Sequence, residues 1–406
     1  MKEIVVQKYG GTSMANAKKI MNVAERVVKS YRSGKNVVVV VSALGSTTDD
    51  LLKLSKKIIK NPPQRELDML LSTGEQVSIA LLAMAIHNLG EGAISLTGAQ
   101  VGIITDGAYT NAKILSLKPK RILEELKKKK IVVVAGFQGT TEKDDITTLG
   151  RGGSNLTAVA LAKALNVQCC QMYTDVNGIY TSDPKIVPDA RKIDRISYDE
   201  MLEMASLGAQ VLQARSIEFA KKYNIVIDVR SSFNEKPGTL IVEEVQNMEG
   251  SVVTGVTVQK DEAKLTVCDV PDRKGVAAKL FRHLSDANVN VDMIVQNISR
   301  TGTTDISFTV HKNDIKKAKD VSCKIAKEIK AGDIIEDLDI AKISIVGAGM
   351  KTHTGVAAVM FETFAKEGIN IKMISTSEIK ISCIIKKRYA EQAARAIHTM
   401  FGLGKK

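Results

Sequence analysis

An internal repeat in the last third of the chain places the strongest constraint on the fold. The stretch GVAAKLFRHLSDANVNVDMI (275–294) aligns without a gap with GVAAVMFETFAKEGINIKMI (355–374), at a constant offset of 80 residues. Each copy predicts a strand, a helix that starts at a glycine and a second strand, and the first copy continues through TDISFTV and a helix near 314–330. This order fits a βαββαβ unit of the ferredoxin-like type. The sequence therefore predicts two small α+β modules, at 263–335 and 341–406.

Residues 1–245 have a different pattern, in which short β-branched runs alternate with longer helical segments. Helices are predicted over 15–32 and 156–165. Strands are predicted at EIVVQ, NVVVVVS (36–42), AISLTG (93–98), IVVVAGF (131–137), VQCCQMYT (167–174) and IVIDVRS (225–231). Several of these runs are apolar throughout, as strands buried on both faces should be. The pattern predicts an α/β domain with a mostly parallel sheet between helix layers, which binds ligands at the carboxyl ends of its strands.

The basic surplus of the chain does not indicate a nucleic-acid partner. The net charge is +13, but the densest basic run, 127–130, ends a predicted helix, where cations are favourable. Aromatic residues make up only 4%, which argues against stacking platforms for single strands. The five cysteines lack a CxxC spacing, the first residues do not have the basic and apolar regions of a secretory leader, and no apolar run approaches about 18 residues. We expect a cytoplasmic protein that binds neither nucleic acid nor membrane.

Polar motifs that contain glycine recur along the first domain. The motif KYGGTS starts at Lys8, SALGSTTDD at Ser42 and YTDVNGIYTSDPK at Tyr173, each after a predicted strand, and STGEQ is predicted to place Glu75 in a turn before a helix. Lys8 precedes its glycines, unlike the lysine of a P-loop, so the motif must bind phosphate in a different geometry. Each motif alone could be a tight turn, a helix cap or a surface loop.

The motif TTLGRGGSN (147–155) is the strongest of the set. Two glycines flanked by Arg151 and Ser154 immediately precede a long apolar helix. A helix N-terminus offers main-chain amides to an anion, and a guanidinium can hold a carboxylate through two hydrogen bonds. The alternative is a glycine-rich linker. The motifs together, in this order, are far more specific than any one of them.

With these motifs and the duplicated GVAA module, the chain resembles the monofunctional, feedback-regulated aspartate kinases over essentially its whole length. The resemblance implies an amino-acid kinase domain at 1–245, followed by two ACT modules at 263–335 and 341–406. It also implies transfer of the γ-phosphoryl group of ATP to the β-carboxylate of L-aspartate, giving 4-phospho-L-aspartate for lysine, threonine and methionine synthesis. Phosphoryl transfer depends mainly on positioning and charge neutralisation, for which a lysine, main-chain amides and Mg²⁺ suffice. Mg²⁺ would be held largely by the phosphates and water, without protein ligands.

The resemblance assigns roles by position. The catalytic set it implies is Lys8, Gly10, Gly11 and Arg151. The aspartate-binding set is Ser42, Thr47, Glu75, Arg151, Ser154 and Asn155. The ATP-binding set is Lys8, Tyr9, Gly10, Gly11, Thr174, Asp175, Tyr180, Lys185 and Gln210.

Two departures from the family pattern bear on activity. Asn155 stands where the family's GRGGSD has an aspartate that helps to bind the substrate ammonium, and Gln210 stands where GAKVL has a lysine near the nucleotide. A less active or inactive amino-acid sensor is therefore the alternative function. Another amino-acid kinase of the same fold is a second rival, against which the tandem modules and TTLGRGGS argue.

The resemblance also implies regulation by lysine, threonine or both at the interfaces between ACT modules, and a homo-oligomer joined through those modules. The effector residues it implies are Asp272, Asn290, Val291, Asp292 and Gln296 in the first module and Val356, Ala357, Asn370, Ile371, Ser377 and Glu378 in the second. Ala357 replaces a threonine of one known regulatory pattern, which leaves the effector open. Met248, just before the first module, could start a separate regulatory subunit. The alternative is that the two modules are scaffolds that bind no effector and that their glycines serve only as helix caps.

Overall fold

The computed structural model describes residues 2–207, 212–244, 252–297 and 302–404. By its internal contacts the chain divides into a first unit, Met1–Ile179 with Lys192–Asn247, and a second unit, Tyr180–Arg191 with Met248–Lys406. The first unit corresponds to the predicted kinase domain and the second contains both predicted modules. The boundaries 1–245, 263–335 and 341–406 themselves stay predictions.

The first unit alternates strands and helices as the sequence predicts. Its strands are β1 (Ile4–Tyr9), β2 (Asn36–Val41), β3 (Ala93–Leu96), β4 (Ile103–Thr105), β5 (Ile114–Leu117), β6 (Ile131–Ala135), β7 (Gln138–Thr140), β8 (Ile146–Thr148), β9 (Cys169–Thr174), β10 (Arg195–Ser197), β11 (Val226–Ser231) and β12 (Thr239–Val242). Its helices are α1 (Ala17–Arg32), α2 (Thr47–Ile58), α3 (Gln64–Asn88), α4 (Lys120–Lys127), α5 (Gly153–Ala164), α6 (Tyr198–Ser206) and α7 (Ala214–Tyr223).

The main sheet has eight strands in the order β10-β12-β11-β9-β1-β2-β6-β3. All neighbours from β11 to β3 run parallel, and only the β11–β12 pair is antiparallel. All six residues of β2 are buried, because helices cover both faces of the sheet. Val37, Val39 and Val41 pack with α1 and α3 on one face, while α5 contacts β1, β2 and β9. The predicted fold class is confirmed.

A second, smaller sheet of the first unit is absent from the sequence prediction. It has the order β5-β4-β7-β8, and each of its strands is only three or four residues long. Runs this short give almost no periodic signal. The sheet matters because β8 leads directly into the Arg151 motif and α5.

Both predicted modules form in the second unit. Its strands are β13 (Gly255–Gln259), β14 (Glu262–Pro271), β15 (Val291–Gln296), β16 (Thr303–His311), β17 (Ile334–Asp337), β18 (Ile340–Val346), β19 (Met373–Thr376) and β20 (Lys380–Lys386). Its helices are α8 (Val276–Asp286), α9 (Ile315–Ile329), α10 (Val356–Lys366) and α11 (Ala390–Met400). The helices α8 and α10 start after Gly275 and Gly355, as the repeat predicts, and the structure shows that both glycines have positive φ.

The sheets of the two modules have the same arrangement of strands, but the strands of the second module are not consecutive in the sequence. The first is β15-β16-β14-β17, a complete βαββαβ unit, and the second is β13-β18-β20-β19. The fourth strand of the second module is therefore β13, which precedes the first module in the chain and pairs antiparallel with β18. The two sheets contact each other through Met293, Ile340, Met373 and Ile384.

Residues 180–191 also belong to the second unit. Thr181 anchors them: its carbonyl accepts the N–H of Val256 (2.7 Å), and its hydroxyl lies 2.9 Å from Nε2 of the fully buried His398 and donates to the carbonyl of Leu403 (3.2 Å). Val187 and Ala190 join the apolar core of the second module. The sequence predicts this segment only as part of a nucleotide-binding loop.

The helix α3 is the one element of the described residues that is long and apolar enough, by length and composition, to cross a membrane. More than half of its most apolar window is buried inside the fold, where it packs on α1 and β3. A core helix of a folded domain passes the same test, so this helix is not evidence for a membrane span.

Candidate active site

Four neighbouring strand ends meet at one edge of the main sheet and carry most of the predicted motifs. Main-chain hydrogen bonds join them: Gly10 N–H to the Tyr173 carbonyl (3.3 Å), Ser42 N–H to the Tyr9 carbonyl (3.2 Å) and Gly136 N–H to the Val41 carbonyl (3.0 Å). These bonds continue the parallel ladder of β9, β1, β2 and β6 past the carboxyl end of each strand. The motifs that start at Lys8, Ser42 and Tyr173 therefore lie side by side.

Glu75 lies within a continuous helix, and the predicted turn before the helix is wrong. The helix α3 runs through residues 64–88, with Gly74 in its buried face. A Cβ added at Gly74 would lie 2.9 Å from Cβ of Ala43 and 3.5 Å from Cγ2 of Thr47. The glycine is therefore needed for the close approach of the helix to the loop after β2, although glycine in a sequence usually predicts a break.

The carboxylate of Glu75 is buried and only half satisfied. Glu75 is only 2% exposed, and its Oε1 atom accepts the N–H of Ala43 at 3.0 Å. Oε2 is buried and has no hydrogen-bond partner among the described residues. Burial raises the pKa of Glu75 to about 7, against the lowering effect of the Ala43 N–H. A buried carboxylate oxygen of this kind needs a hydrogen-bond donor or a cation, and a ligand can supply either.

Asn155 provides a second acceptor of the same kind. It lies in the first turn of α5 and is 7% exposed. Its Oδ1 atom is buried, and within the described part of the chain it accepts no hydrogen bond. The preceding residue, Ser154, packs tightly against Gly136 at the end of β6, so this turn of α5 lies at the same sheet edge.

The Arg151 loop is shaped by two left-handed glycines. Gly150 and Gly152 have φ of +77° and +70°, a region that other residues rarely adopt. Arg151 between them is exposed, and Gly152 is the N-cap of α5. The loop therefore presents an exposed guanidinium beside a helix N-terminus, the combination that suits a carboxylate.

Lys8 lies beside the glycines that follow it. A Cβ added at Gly10 would lie 3.4 Å from Nζ of Lys8, so the ammonium group is next to this turn. Burial lowers the pKa of Lys8 to about 8, although Cys170 and Asp175 oppose the shift. At pH 7 the group is thus still mostly protonated, and it is a partly desolvated cation. Such a cation interacts more strongly with phosphate than a hydrated one does.

Among the other aspartate-binding residues, Ser42 and Thr47 are half-buried at the end of β2 and the start of α2. The Thr47 hydroxyl donates to the Leu44 carbonyl at 2.6 Å. Gly11 lies close to the same loop, because Gly45 N–H donates to its carbonyl at 3.0 Å. The structure therefore brings Gly11, Ser42 and Thr47 together with Glu75.

The other predicted nucleotide residues lie in different parts of the chain. Thr174 is the last residue of β9 and the exposed Asp175 follows it, and the Thr174 hydroxyl donates to Oδ1 of Asp175 at 3.1 Å. The ring of Tyr9 is fully buried and stacked on Tyr173 at 4.6 Å, so only the main chain of Tyr9 faces the strand end. Tyr180 and Lys185 belong to the second unit, where Tyr180 packs on the apolar core and Lys185 is exposed. Gln210 lies outside the described residues.

No protein metal site is visible in the described ranges, because no three His, Cys, Asp or Glu side chains there lie close enough to hold an ion. The residues present therefore do not form a cage for Mg²⁺.

Two of the predicted effector residues form ion pairs. Asp292 on β15 pairs with Lys342 on β18, which links the first module to the second. The Lys342 side chain is 1% exposed, whereas that of Asp292 is 35% exposed. Glu378 pairs with Lys351 at 3.0 Å within the second module.

The remaining effector residues lie around the same strands and helix starts. In the first module Asp272, Asn290 and Gln296 are exposed and Val291 is half-buried; in the second module Asn370 and Ser377 are exposed, Ala357 and Ile371 are half-buried and Val356 is buried. The first two residues of α10, Val356 and Ala357, follow the positive-φ Gly355.

Two residues with many contacts near the site have no sequence signal. Asp68 and Arg215 both hold the chain that leads into the Arg151 loop. Neither belongs to a recognisable motif, so only the structure identifies them.

The comparisons with known proteins agree with this architecture. The Amino acid kinase family pattern matches residues 3–231, and an ACT domain pattern matches 269–322 and 343–401. The chain is thus an amino acid kinase with C-terminal ACT domains. It is 53% identical over 402 residues to the aspartokinase of Pseudomonas aeruginosa, covering 98% of each chain.

Two crystal structures of Escherichia coli aspartokinase III are also similar, each at 25% identity. The complex with aspartate and ADP (R-state) has a TM-score of 0.81 and covers 98% of this chain and 99% of that one. The complex with lysine and aspartate (T-state) has a TM-score of 0.76 with the same coverage. The chain belongs to the aspartate kinase family, and it is a kinase that acts on aspartate.

Proposed function

We propose that Glu75 and Asn155 bind the α-ammonium group of L-aspartate in this aspartate kinase. The observation that carries the proposal is the buried Oε2 of Glu75, which accepts no hydrogen bond from the described residues. Its first oxygen is already held by Ala43 N–H, so the second has a fixed position and can accept from an ammonium group. Asn155 Oδ1 adds a neutral acceptor. Aspartate binding would also hold Glu75 ionised, because a nearby cation lowers the pKa of a carboxyl group.

The two carboxylates of aspartate have different proposed partners. Arg151 and the N-terminal amides of α5, with Ser154, would hold the α-carboxylate. The half-buried hydroxyls of Ser42 and Thr47 would contact the β-carboxylate, which receives the phosphoryl group. The arrangement is supported by Ser42 and Thr47, which follow β2, and by Ser154, which packs against Gly136 at the end of β6 three residues after Arg151.

Lys8 and the amides of Gly10 and Gly11 would neutralise the phosphoryl group in transfer. A preorganised cation and amides stabilise developing charge without covalent chemistry. Thr174, Asp175, Tyr180, Lys185 and Gln210, with the main chain of Tyr9, would bind the rest of ATP. Mg²⁺, which neutralises phosphate charge when bound, would arrive with the nucleotide, since the described side chains offer it no cage.

The proposal also covers how this kinase is regulated, how it assembles and where it acts. We propose inhibition by lysine, threonine or both at the ACT modules, supported by the lysine complex of the E. coli relative. The chain would form a homo-oligomer through these modules and act in the cytoplasm. A regulatory subunit that starts at Met248 stays a hypothesis, and Met248 lies outside the described residues. Nothing in the comparisons favours the inactive-sensor alternative.

ATP-dependent formation of aspartyl hydroxamate tests the proposal. The purified chain with Mg²⁺ and L-aspartate should form the product, and lysine or threonine should reduce the rate. Asn155→Asp should lower the KM for aspartate, because it adds a negative charge beside the ammonium group, and should leave the KM for ATP within twofold. An unchanged or higher KM for aspartate would remove Asn155 from the site.

A further inference from the structure

Asp68 is a fully buried carboxylate that is not among the residues proposed to bind aspartate or ATP. Its Oδ2 accepts the N–H of Thr110 at 2.9 Å and of Thr148 at 2.8 Å, and its Oδ1 accepts the Thr148 hydroxyl at 2.6 Å. A buried carboxylate is costly unless donors surround it, and here three donors do so. Two of the three belong to Thr148, the last residue of β8.

Arg215, at the start of α7, holds the next part of the same segment. Its guanidinium donates to the carbonyl of Leu149 at 2.8 Å and to that of Ala112 at 2.6 Å. A Cβ added at Gly150 would lie only 2.9 Å from Oδ1 of Asn111, so the following residue is also packed closely. The chain is thus fixed at each of the three positions before Arg151.

The same helix carries both Asp68 and Glu75. They are seven residues apart on α3, which is two helical turns or about 10.5 Å along the axis. Gln138 on β7 strengthens the attachment, because its Nε2 donates to the Ser72 carbonyl between them at 2.9 Å. The helix that presents Glu75 is therefore bonded directly to the strands that lead into the Arg151 loop.

We propose that Asp68 and Arg215 are positioning residues, which fix the Arg151 loop relative to Glu75 so that one amino acid can be held by both. This inference rests on the proposed function, in which Arg151 binds the α-carboxylate and Glu75 the α-ammonium group. These two substrate groups are attached to the same carbon atom, so a displacement of the loop by about 1 Å affects both contacts.

The test compares steady-state kinetics of the full chain for Asp68→Ala, Asp68→Asn, Arg215→Met and Arg151→Met. Asp68→Ala and Arg215→Met should each raise the KM for aspartate about tenfold and the KM for ATP less than twofold. Asp68→Asn should have a smaller effect, since its amide oxygen can still accept the two main-chain N–H groups. Arg215 is half-buried at a helix start, so its variant should fold even if Asp68→Ala does not.

Glu125→Ala is the matched control. Glu125 is also a buried carboxylate, bonded to Lys128 and Lys130, but it lies before β6, at the opposite end of the sheet. Its variant should be less stable without changing the ratio of the two KM values. The inference alone would be overturned if the ratio of KM for aspartate to KM for ATP rose less than threefold over wild type in folded Asp68→Ala and Arg215→Met while Arg151→Met raised it more. An unchanged ratio in Arg151→Met would overturn the proposed site and this inference with it.

Discussion

Replacing Glu75 with glutamine should weaken aspartate binding and, in the same protein, increase stability. Glutamine keeps an oxygen for the Ala43 N–H but places an uncharged NH₂ group where Oε2 lies. The hydrogen bond lost to a charged partner is worth about 1.5–3 kcal/mol. At about 1.4 kcal/mol for each factor of ten, the KM for aspartate should rise roughly 10- to 150-fold. The KM for ATP should change less than twofold.

The stability effect follows from the pKa of the same group. Burial raises the pKa of Glu75 from 4.5 to about 7, a difference worth about 3 kcal/mol. Between these pH values the folded protein retains a proton that the unfolded chain has released, so the free energy of unfolding falls as the pH rises. Glutamine cannot ionise. At pH 8 and without aspartate the variant should therefore be more stable than wild type by up to about 3 kcal/mol, and at pH 5 by less than about 1 kcal/mol.

The assay is urea unfolding of both proteins at pH 5 and pH 8, with initial rates measured at pH 8. Glu66→Gln is the control, because Glu66 is an exposed carboxylate on the same helix. It should change neither property. A Glu75→Gln protein that is less stable than wild type at pH 8, or that keeps its KM for aspartate within threefold, would refute the reasoning.

Three further perturbations follow from the structure. Lys8→Met should reduce kcat at least about 100-fold by single-turnover kinetics, with little change in the KM for aspartate. In wild type, kcat/KM for ATP should fall above about pH 8, where Lys8 loses its proton. A kcat/KM that stays constant up to pH 9.5 would argue against this role of Lys8. Gly74→Ala should cost about 1–3 kcal/mol by thermal unfolding and raise the KM for aspartate, whereas Gly107→Ala, which has open space in the described structure, should do neither. Asp292→Asn should destabilise the second unit by about 1–3 kcal/mol in urea, because it removes the charge paired with the buried Lys342. Lys342→Met should cost less, because Asp292 is partly exposed; the reverse order would contradict this account.

The overall fold follows from the sequence because its main signals are long and redundant. The apolar runs of β2 and β6 can be buried on both faces only in a covered parallel sheet. The ungapped repeat predicts two copies of one unit, and both form. The predicted strand ends then bring the Lys8 and Ser42 motifs together without any knowledge of side-chain contacts.

What the sequence does not predict depends on contacts between distant segments. The strand β13 completes the second module from a position before the first, and local pattern cannot indicate its partner. Gly74 has the usual signature of a helix break, but the helix continues because a close approach requires the glycine. The free oxygen of Glu75 is likewise a property of packing. Asp68 has no motif because its donors come from residues 42 and 80 positions away.

The most direct test of the account compares L-aspartate with succinate, which has both carboxylates but no ammonium group, as acceptors in the hydroxamate assay. If Glu75 binds the ammonium group, wild type should prefer aspartate by at least about tenfold in kcat/KM, and Glu75→Gln should remove most of that preference. Equal use of the two acceptors by wild type, or an unchanged preference in Glu75→Gln, would contradict the central claim.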